Sequence, residues 1–157
     1  MIKKILILIF ISQLLLTCGF TPTYKVLDSD TNNNVYYEID PSSSYLARQV
    51  LNNEIQHLDK DIVKFITKVK VTEKEFAVNV ESSGSVNEYK IEVLINFEIF
   101  NVENEVPFYK SQSRGFSNYD VSDSEYTNTL VKKEALKRAL TESIQLMIVI
   151  VQSKISE

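Results

Sequence analysis

The sequence predicts an α+β domain, a two-layer sandwich of about four mostly antiparallel strands with two helices packed on one face. Apolar residues alternate with polar ones over two long stretches, and in two other stretches they recur at three- and four-residue spacing. These stretches follow one another in the order β-α-β-β-β-α, which is typical of helices packed on a largely antiparallel sheet. The chain has 157 residues, enough for one domain with a buried core.

The first predicted strand is Val35–Ile39, whose sequence VYYEI is rich in β-forming residues. A helix is predicted to follow at about residues 45–58, because residues at helical spacing share one face and the serines at 42–44 offer N-caps. The face residues are Ala47, Val50, Leu51, Glu54, Ile55 and Leu58. Only Glu54 interrupts this apolar face, so the helix is expected to pack on the core.

The residues from Ile62 onward are predicted to form a strand with one buried side, because apolar and polar residues alternate. The apolar positions change from odd to even numbers between Val71 and Phe76. A bulge or a tight turn around residues 72–75 is predicted to cause this change. A second turn is predicted around Gly84.

Two more strands complete a predicted meander. Residues 89–99 have the most regular alternation in the chain and are predicted to form a central strand. Residues 106–121 are predicted to form the last strand, which Pro107 and Gly115 are expected to weaken or bend.

A long helix is predicted from the S-x-x-E capping box of Ser122 and Glu125 to about Lys154. Its second half is apolar on nearly every side, and such a helix needs cover on more than one side. The apolar residues of this half are Leu140, Ile144, Leu146, Met147, Ile148, Val149, Ile150, Val151 and Ile155. Either the first helix supplies the cover or a partner protein does, and in the second case Ile148 and Ile150 are the candidate interface residues.

The N-terminal segment has the organisation of a signal peptide that is processed for lipidation. Two lysines precede an apolar stretch at residues 5–16, which is too short to span a bilayer and leads to Cys18. We therefore expect residues 1–17 to be removed and Cys18 to carry a covalent lipid. Residues 18–34 are expected to be a tether, and residues 35–157 a single domain.

Cys18 is the only cysteine, so no disulfide can form within the chain and the fold must depend on core packing. Leu15 fits the leucine that usually stands three places before a lipidated cysteine, whereas Thr17 is larger than the small residue usual just before it. The alternative is an ordinary secreted protein with a cysteine here by chance. No cofactor is expected other than the lipid on Cys18.

Charge and motif content exclude several classes of function. Without residues 1–17 the chain has 15 basic and 21 acidic residues, a formal charge of −6, which argues against a general nucleic-acid binder. His57 is the only histidine, there is no Cys-His metal spacing, and the three glycines form no phosphate-binding loop. We predict no enzyme, no catalytic residue and no metal site.

The residues after the expected cleavage site include Cys18, Gly19, Phe20, Pro22 and Tyr24. This pattern resembles the CGF-x-P-x-Y opening of the LptE family of lipopolysaccharide-assembly lipoproteins. Thr21 and Thr23 depart from the Arg and the Leu or Val that are frequent there. The C-terminal part resembles the family's α-proteobacterial branch, in which a Tyr- and Ser-rich stretch leads into an Ala-containing helix. The residues that carry this second resemblance are Ser117, Asn118, Tyr119, Ser122, Ser124, Tyr126, Ala135, Arg138, Ala139 and Leu140.

The resemblance implies a lipoprotein of the outer membrane that faces the periplasm. A member of this family plugs the β-barrel of the translocon protein LptD, helps it to assemble, and helps lipopolysaccharide to reach the outer leaflet. Gly19 follows the cysteine where an aspartate would signal retention in the inner membrane of enteric bacteria. Sorting to the outer membrane is therefore expected.

Lys68, Lys70 and Lys90 are the candidate contacts for the phosphates of lipopolysaccharide, and we expect them to flank the turn between the second and third strands. Simple solvation of a strand face is the alternative interpretation of these lysines. The alternative function is that of a periplasm-facing lipoprotein of a lipid transport system, which binds or carries lipid on its sheet.

Overall fold

A computed structural model describes residues 34–55 and 58–156. The predictions for residues 1–17, Cys18 and His57 lie outside these ranges and stay predictions. The described residues form a four-stranded sheet with two helices, which confirms the predicted fold class and element order. The elements are β1 (Val35–Ile39), α1 (Tyr45–Glu54), β2 (Phe65–Val80), β3 (Val86–Asn101), β4 (Tyr109–Asp120) and α2 (Glu125–Ile155), with a 3-10 turn at Lys60–Ile62 before β2.

The strands lie in the order β1-β2-β3-β4, and β1 runs parallel to β2 while the other pairs are antiparallel. A parallel pair needs a crossover connection, which α1 supplies. The strands β2 and β3 each have 16 residues, so this hairpin is about 50 Å long at the usual rise of a strand. It is the longest feature of the sheet.

The core lies between the two helices and one face of the sheet. That face carries odd-numbered residues of the strands, such as Val69, Val93 and Phe97, which are almost completely buried. The helices add their own apolar stripes: Ala47, Val50, Leu51, Ala139, Leu140, Ile144, Met147 and Val151. The alternation predicted for β3 is thus confirmed as the inward side of a central strand.

The two layers approach each other closely between β4 and α2. A Cβ atom added to Gly115 would lie 2.0 Å from the carbonyl oxygen of Ala139 and 2.9 Å from the amide nitrogen of Ser143. The hydroxyls of Ser113 and Ser143 are hydrogen-bonded at 3.1 Å in the same buried contact. Gly115 is therefore required because the helix backbone passes directly over it.

The first helix ends earlier than predicted, at Glu54 instead of Leu58. Ser44 caps its start by accepting a hydrogen bond from the Ala47 amide at 3.1 Å. At the other end Ile55 donates its amide to Leu51 and takes an extended conformation. The Ile55 side chain is buried in that conformation. The extended chain therefore buries the same apolar side chain that a longer helix would have buried.

The predicted bulge at residues 72–75 is wrong. The pairing of β2 with β3 is regular from Phe65 to Ala77, and its irregularities lie between Ala77 and Val80. Phe76 therefore lies on the opposite face of the sheet from Val71, so the change from odd to even apolar positions marks a change of face. The strand also begins three residues later than predicted, because Lys60–Ile62 form the 3-10 turn.

The predicted capping box of Ser122 and Glu125 is also wrong. The N-cap of α2 is Ser124, whose hydroxyl accepts from the Thr127 amide at 3.3 Å. Ser122 is held instead by Asn128, which accepts from the Ser122 amide at 2.7 Å and donates to its carbonyl at 2.8 Å. A serine directly before the helix outcompetes one that is two residues further away.

The described part of the chain holds no helix whose length and apolar character suit a membrane crossing.

Candidate functional site

The candidate site is the face of the sheet opposite the helices, which no other described element covers. We call it the open face. The strand register sets five rows of three side chains across β2, β3 and β4. The rows are Lys68-Glu98-Lys110, Lys70-Asn96-Gln112, Thr72-Leu94-Arg114, Lys74-Glu92-Phe116 and Phe76-Lys90-Asn118.

The open face combines charged side chains with aromatic ones. Lys110 and Glu98 form an ion pair at 2.7 Å, and Arg114 and Glu92 form a weaker one at 3.8 Å. Lys68 and Lys90 lie over the rings of Phe100 and Phe116, with their ammonium nitrogens 4.8 Å and 4.2 Å from the ring centroids. Such a cation and ring form one amphipathic surface, polar at the ammonium and apolar around the ring.

The three predicted lysines share the open face, but they do not form one cluster. Lys90 is paired with Phe76, close to the turn of the β2–β3 hairpin. Lys70 lies six residues before Phe76 along β2, which corresponds to about 20 Å. Their predicted place beside the hairpin turn therefore holds for Lys90 and fails for Lys68 and Lys70.

Lys68 and Lys70 instead border an open depression of about 550 Å³ beside the end of β1. Its charged lining residues are Glu38, Asp40, Lys68, Lys70, Glu98 and Lys110. Hydrogen bonds from Ser42 lower the pKa of the Asp40 carboxyl, with a smaller contribution from the charge of Lys70. Three carboxylates thus balance three ammonium groups, so the depression has no net attraction for an anion.

We call the far end of the hairpin, residues 76–90, the arm. Every residue of β2 from Phe76 to Val80 is exposed, including the apolar side chains of Phe76, Val78 and Val80, which are 46–54 % exposed. Phe116 on the neighbouring strand is exposed to a similar extent. The turn is well ordered by hydrogen bonds: Glu81 and Ser85 pair through their backbones at 2.8 Å, and Gly84 supplies a φ of 89°.

A polar network that sequence reasoning did not predict holds the base of the arm to α2. The Glu75 carboxylate accepts hydrogen bonds from the Tyr119 hydroxyl and from the Lys132 ammonium group, the latter at 2.6 Å. Tyr119 also stacks on Tyr89, with 5.5 Å between ring centroids. We call these four residues the Glu75 network.

The Glu75 network shifts the pKa values of Glu75 and Tyr119 in opposite directions. Burial acts to raise the pKa of Glu75, but the hydrogen bonds from Lys132 and Tyr119 outweigh it and lower that pKa. Burial and the hydrogen bond to Glu75 raise the pKa of Tyr119. Near neutral pH Glu75 is therefore a carboxylate and Tyr119 a neutral phenol.

Ile148 and Ile150, the candidate interface residues, are half-buried and pack against the core. The first helix packs beside α2 and contributes to that cover. The apolar side chains of this half of α2 that remain exposed are Leu146 at 47 % and Val149 at 55 %. A partner that approached α2 would therefore meet Leu146 and Val149 first.

Comparisons with known proteins agree with the fold. No protein-family model and no curated protein matches the sequence. A candidate lipoprotein from Caulobacter crescentus CB15 is similar in structure, with a TM-score of 0.64, 16 % identity and coverage of 81 % of this chain and 93 % of that one. A minor lipoprotein from Acinetobacter baumannii has a TM-score of 0.60, 12 % identity and coverage of 78 % and 92 %.

Rare lipoprotein B from Shewanella oneidensis is also similar, with a TM-score of 0.54, 11 % identity and coverage of 80 % of this chain and 100 % of that one. At these identities the similarity shows a shared fold. The chain thus has the fold of several bacterial lipoproteins.

Proposed function

We propose that the protein is an outer-membrane lipoprotein of the LptE type. A lipid on Cys18 holds it at the periplasmic side of the membrane, and its domain plugs the LptD β-barrel, helps the barrel to assemble and helps lipopolysaccharide to reach the outer leaflet. The Cys18–Tyr24 opening supports this proposal from the sequence. The fold supports it as well, because the chain shares it with rare lipoprotein B from Shewanella oneidensis.

The observation that carries the proposal is the group of exposed apolar side chains on the β2 strand of the arm. A soluble monomer rarely exposes a contiguous group of large apolar side chains, yet Phe76, Val78 and Val80 follow one another along the end of β2 at about half exposure. Their burial in a partner would be favourable by about 25 cal/mol per Å² of apolar surface. Because hydrogen-bonded strands hold these side chains in place, the surface that covers them must match a fixed pattern.

Lys90 is the residue best placed for a lipopolysaccharide phosphate. It lies over the Phe116 ring, and within residues 34–55 and 58–156 it forms no ion pair with a carboxylate. A cation beside exposed rings suits an amphiphile, since the phosphate would meet Lys90 and the acyl chains would meet Phe76 and Phe116. Lys68 and Lys70 are less suited, because carboxylates surround them.

The role is non-enzymatic in this proposal. The domain supplies a shaped surface to its partner and contacts to lipopolysaccharide, and no bond is made or broken. The only covalent modification is the lipid on Cys18, which serves as attachment.

The test is affinity purification of the lipidated protein from membrane extracts. We expect a large barrel that migrates differently after heating to be recovered with the wild-type chain and lost with Phe76→Asp. Gln145→Asp is the matched control, since it adds the same charge at an exposed position of α2. Recovery of no barrel with the wild-type chain would contradict the proposal, and phospholipid retained by the purified domain would favour the lipid carrier.

A further inference from the structure

The end of the sheet opposite the arm exposes a second group of apolar side chains. They are Ile62, Val102, Val106 and Phe108, and the largest exposed fractions are 74 % for Val106 and 68 % for Ile62. The 3-10 turn and the β3–β4 connection bring them together. The Val102 amide donates to the Lys64 carbonyl at 3.0 Å, and the Phe108 ring packs on Phe65 with 5.8 Å between centroids. We call this group the near end.

The chain starts its fold at this same end. The Lys64 amide donates to the Asn34 carbonyl at 3.0 Å, and Val35, the first residue of β1, is paired with Phe65. Cys18 precedes Asn34 by 16 residues in the sequence. For the tether predicted at residues 18–34, a random coil of that length would have an end-to-end distance of about 20–25 Å. A lipid on Cys18 would then keep the near end close to the bilayer.

We propose that the near end is a second membrane contact, in which Ile62, Val102, Val106 and Phe108 rest in the headgroup region of a zwitterionic phospholipid surface. The inference relies on the lipid anchor of the proposed function and on no other part of it. The lipid anchor keeps the near end at a high effective concentration beside the bilayer, so a weak apolar contact is enough to orient the domain. The hairpin of about 50 Å separates the two ends, so contact of the near end with headgroups leaves the arm free for a partner.

The charges around the near end favour a zwitterionic surface over an anionic one. Lys60 and Lys64 are exposed there, but so are Glu103 and Glu105 on the β3–β4 connection. A surface with both signs gains little from anionic lipid. Apolar contact therefore provides the attraction, as it does for other interfacial segments with exposed aliphatic and aromatic side chains.

The experiment uses the lipidated full chain in vesicles of phosphatidylethanolamine and phosphatidylcholine. Because Cys18 is the only cysteine and the lipid blocks its thiol, Val106→Cys provides a single site for an environment-sensitive fluorophore. Ser83→Cys, in the turn of the arm, is the matched control. We expect lipids that carry a quencher at the headgroup to quench the Val106 label at least fivefold more strongly than the Ser83 label.

Equal and weak quenching of the two labels would overturn the proposal. A label at Val106 that is shielded from water but not quenched by lipid would also overturn it, because residues 18–33 of the chain would then be the cover. A second measurement uses a chain that lacks residues 1–18, in which vesicle binding depends on the domain. Val106→Ser with Phe108→Ser should weaken that binding about tenfold, and Val78→Ser with Val80→Ser should leave it unchanged.

Failure of this inference can be told apart from failure of the proposed function. Thiol labelling of the wild-type chain at Cys18 would show that the anchor itself is missing. Recovery of the barrel with an unquenched Val106 label overturns the membrane contact alone, whereas a quenched label without barrel recovery overturns the proposed partner alone.

Discussion

The two ends of the sheet expose apolar side chains in different structural settings. At the near end, Ile62 and Val106 lie in a 3-10 turn and a connection, whereas Phe76 of the arm lies in a paired strand, as does Phe116 on the neighbouring strand. Side chains on irregular segments suit a fluid surface that has no fixed pattern. Side chains in register suit a protein partner with a matching surface. We therefore assign the near end to lipid and the arm to the barrel.

The largest expected effect comes from Gly115, which lies between the two ends and fixes the helix layer to the sheet. Gly115→Val would place a side chain against the Ala139 carbonyl and the Ser143 amide, so α2 would have to move. We expect a loss of about 3 kcal/mol or more in the free energy of unfolding, measured by denaturant titration. Both surfaces should then lose their binding together.

Gly84→Ala is the matched control for that substitution. Nothing lies within 4 Å of its added Cβ atom, and only the positive φ of 89° opposes it. The expected loss is about 1 kcal/mol. A loss at Gly115 no larger than at Gly84 would contradict the close contact between β4 and α2.

The second effect distinguishes core from surface on α2. Ile148→Asp and Ile150→Asp should each lower the free energy of unfolding by about 2 kcal/mol, because a carboxylate would be placed against the core. Val149→Asp should change it by less than about 0.5 kcal/mol, since that side chain is more than half exposed. If Val149→Asp nevertheless abolishes barrel recovery, the partner surface extends from the arm to this helix.

The third effect concerns the base of the arm. Glu75→Gln should lower the free energy of unfolding by about 1 kcal/mol at pH 7, because the hydrogen bonds to a charged carboxylate are lost. The folded-state pKa of Glu75 is lowered, so its contribution is present above the unfolded pKa and is lost as pH falls through the folded one. The difference between the wild type and Glu75→Gln should therefore shrink below about pH 4.

Hydrogen exchange of the arm amides provides the measurement at single residues, and Glu134→Gln on the exposed side of α2 is the control. Faster exchange limited to residues 76–90 is the expected result for Glu75→Gln. Unchanged exchange there would mean that the Glu75 network does not hold the arm.

The smallest effect compares the lysines at the two ends of the open face. Lys90→Ala should weaken lipopolysaccharide binding about fivefold, the value expected for loss of one charge-assisted contact of about 1 kcal/mol. Lys70→Ala should leave it nearly unchanged, because Lys70 lies in a charge-balanced depression. Equal losses would favour a general effect of positive charge over a site at the arm.

The fold could be predicted from the sequence because periodicity reports which side of an element is buried. The bounds of Val35–Ile39 and the regular alternation of residues 89–99 correspond to real strands. The end of α1 could not be found in this way, because Ile55 is buried equally well by another helical turn or by an extended chain. Similarly, two nearby serines compete for one cap, and their order along the chain does not decide between Ser122 and Ser124.

The candidate site was only partly predictable. The sequence shows that the apolar positions change from odd to even numbers before Phe76. Periodicity alone cannot tell whether a bulge causes this change or whether the opposite face of the sheet becomes apolar. The Glu75 network depends on residues 44 and 57 positions away in the sequence, and no local pattern reports such contacts. Lys90 is the one of the three lysines that lies in the arm, and the strand register pairs it with Phe76.

Site-specific photo-crosslinking in whole cells tests the central claim, that a barrel partner covers the arm, most directly. A photoreactive residue at Phe76 should crosslink to one large protein whose migration changes on heating, while the same residue at Gln145 should not. Crosslinking from both positions at equal low yield, or from neither to such a protein, would contradict the claim.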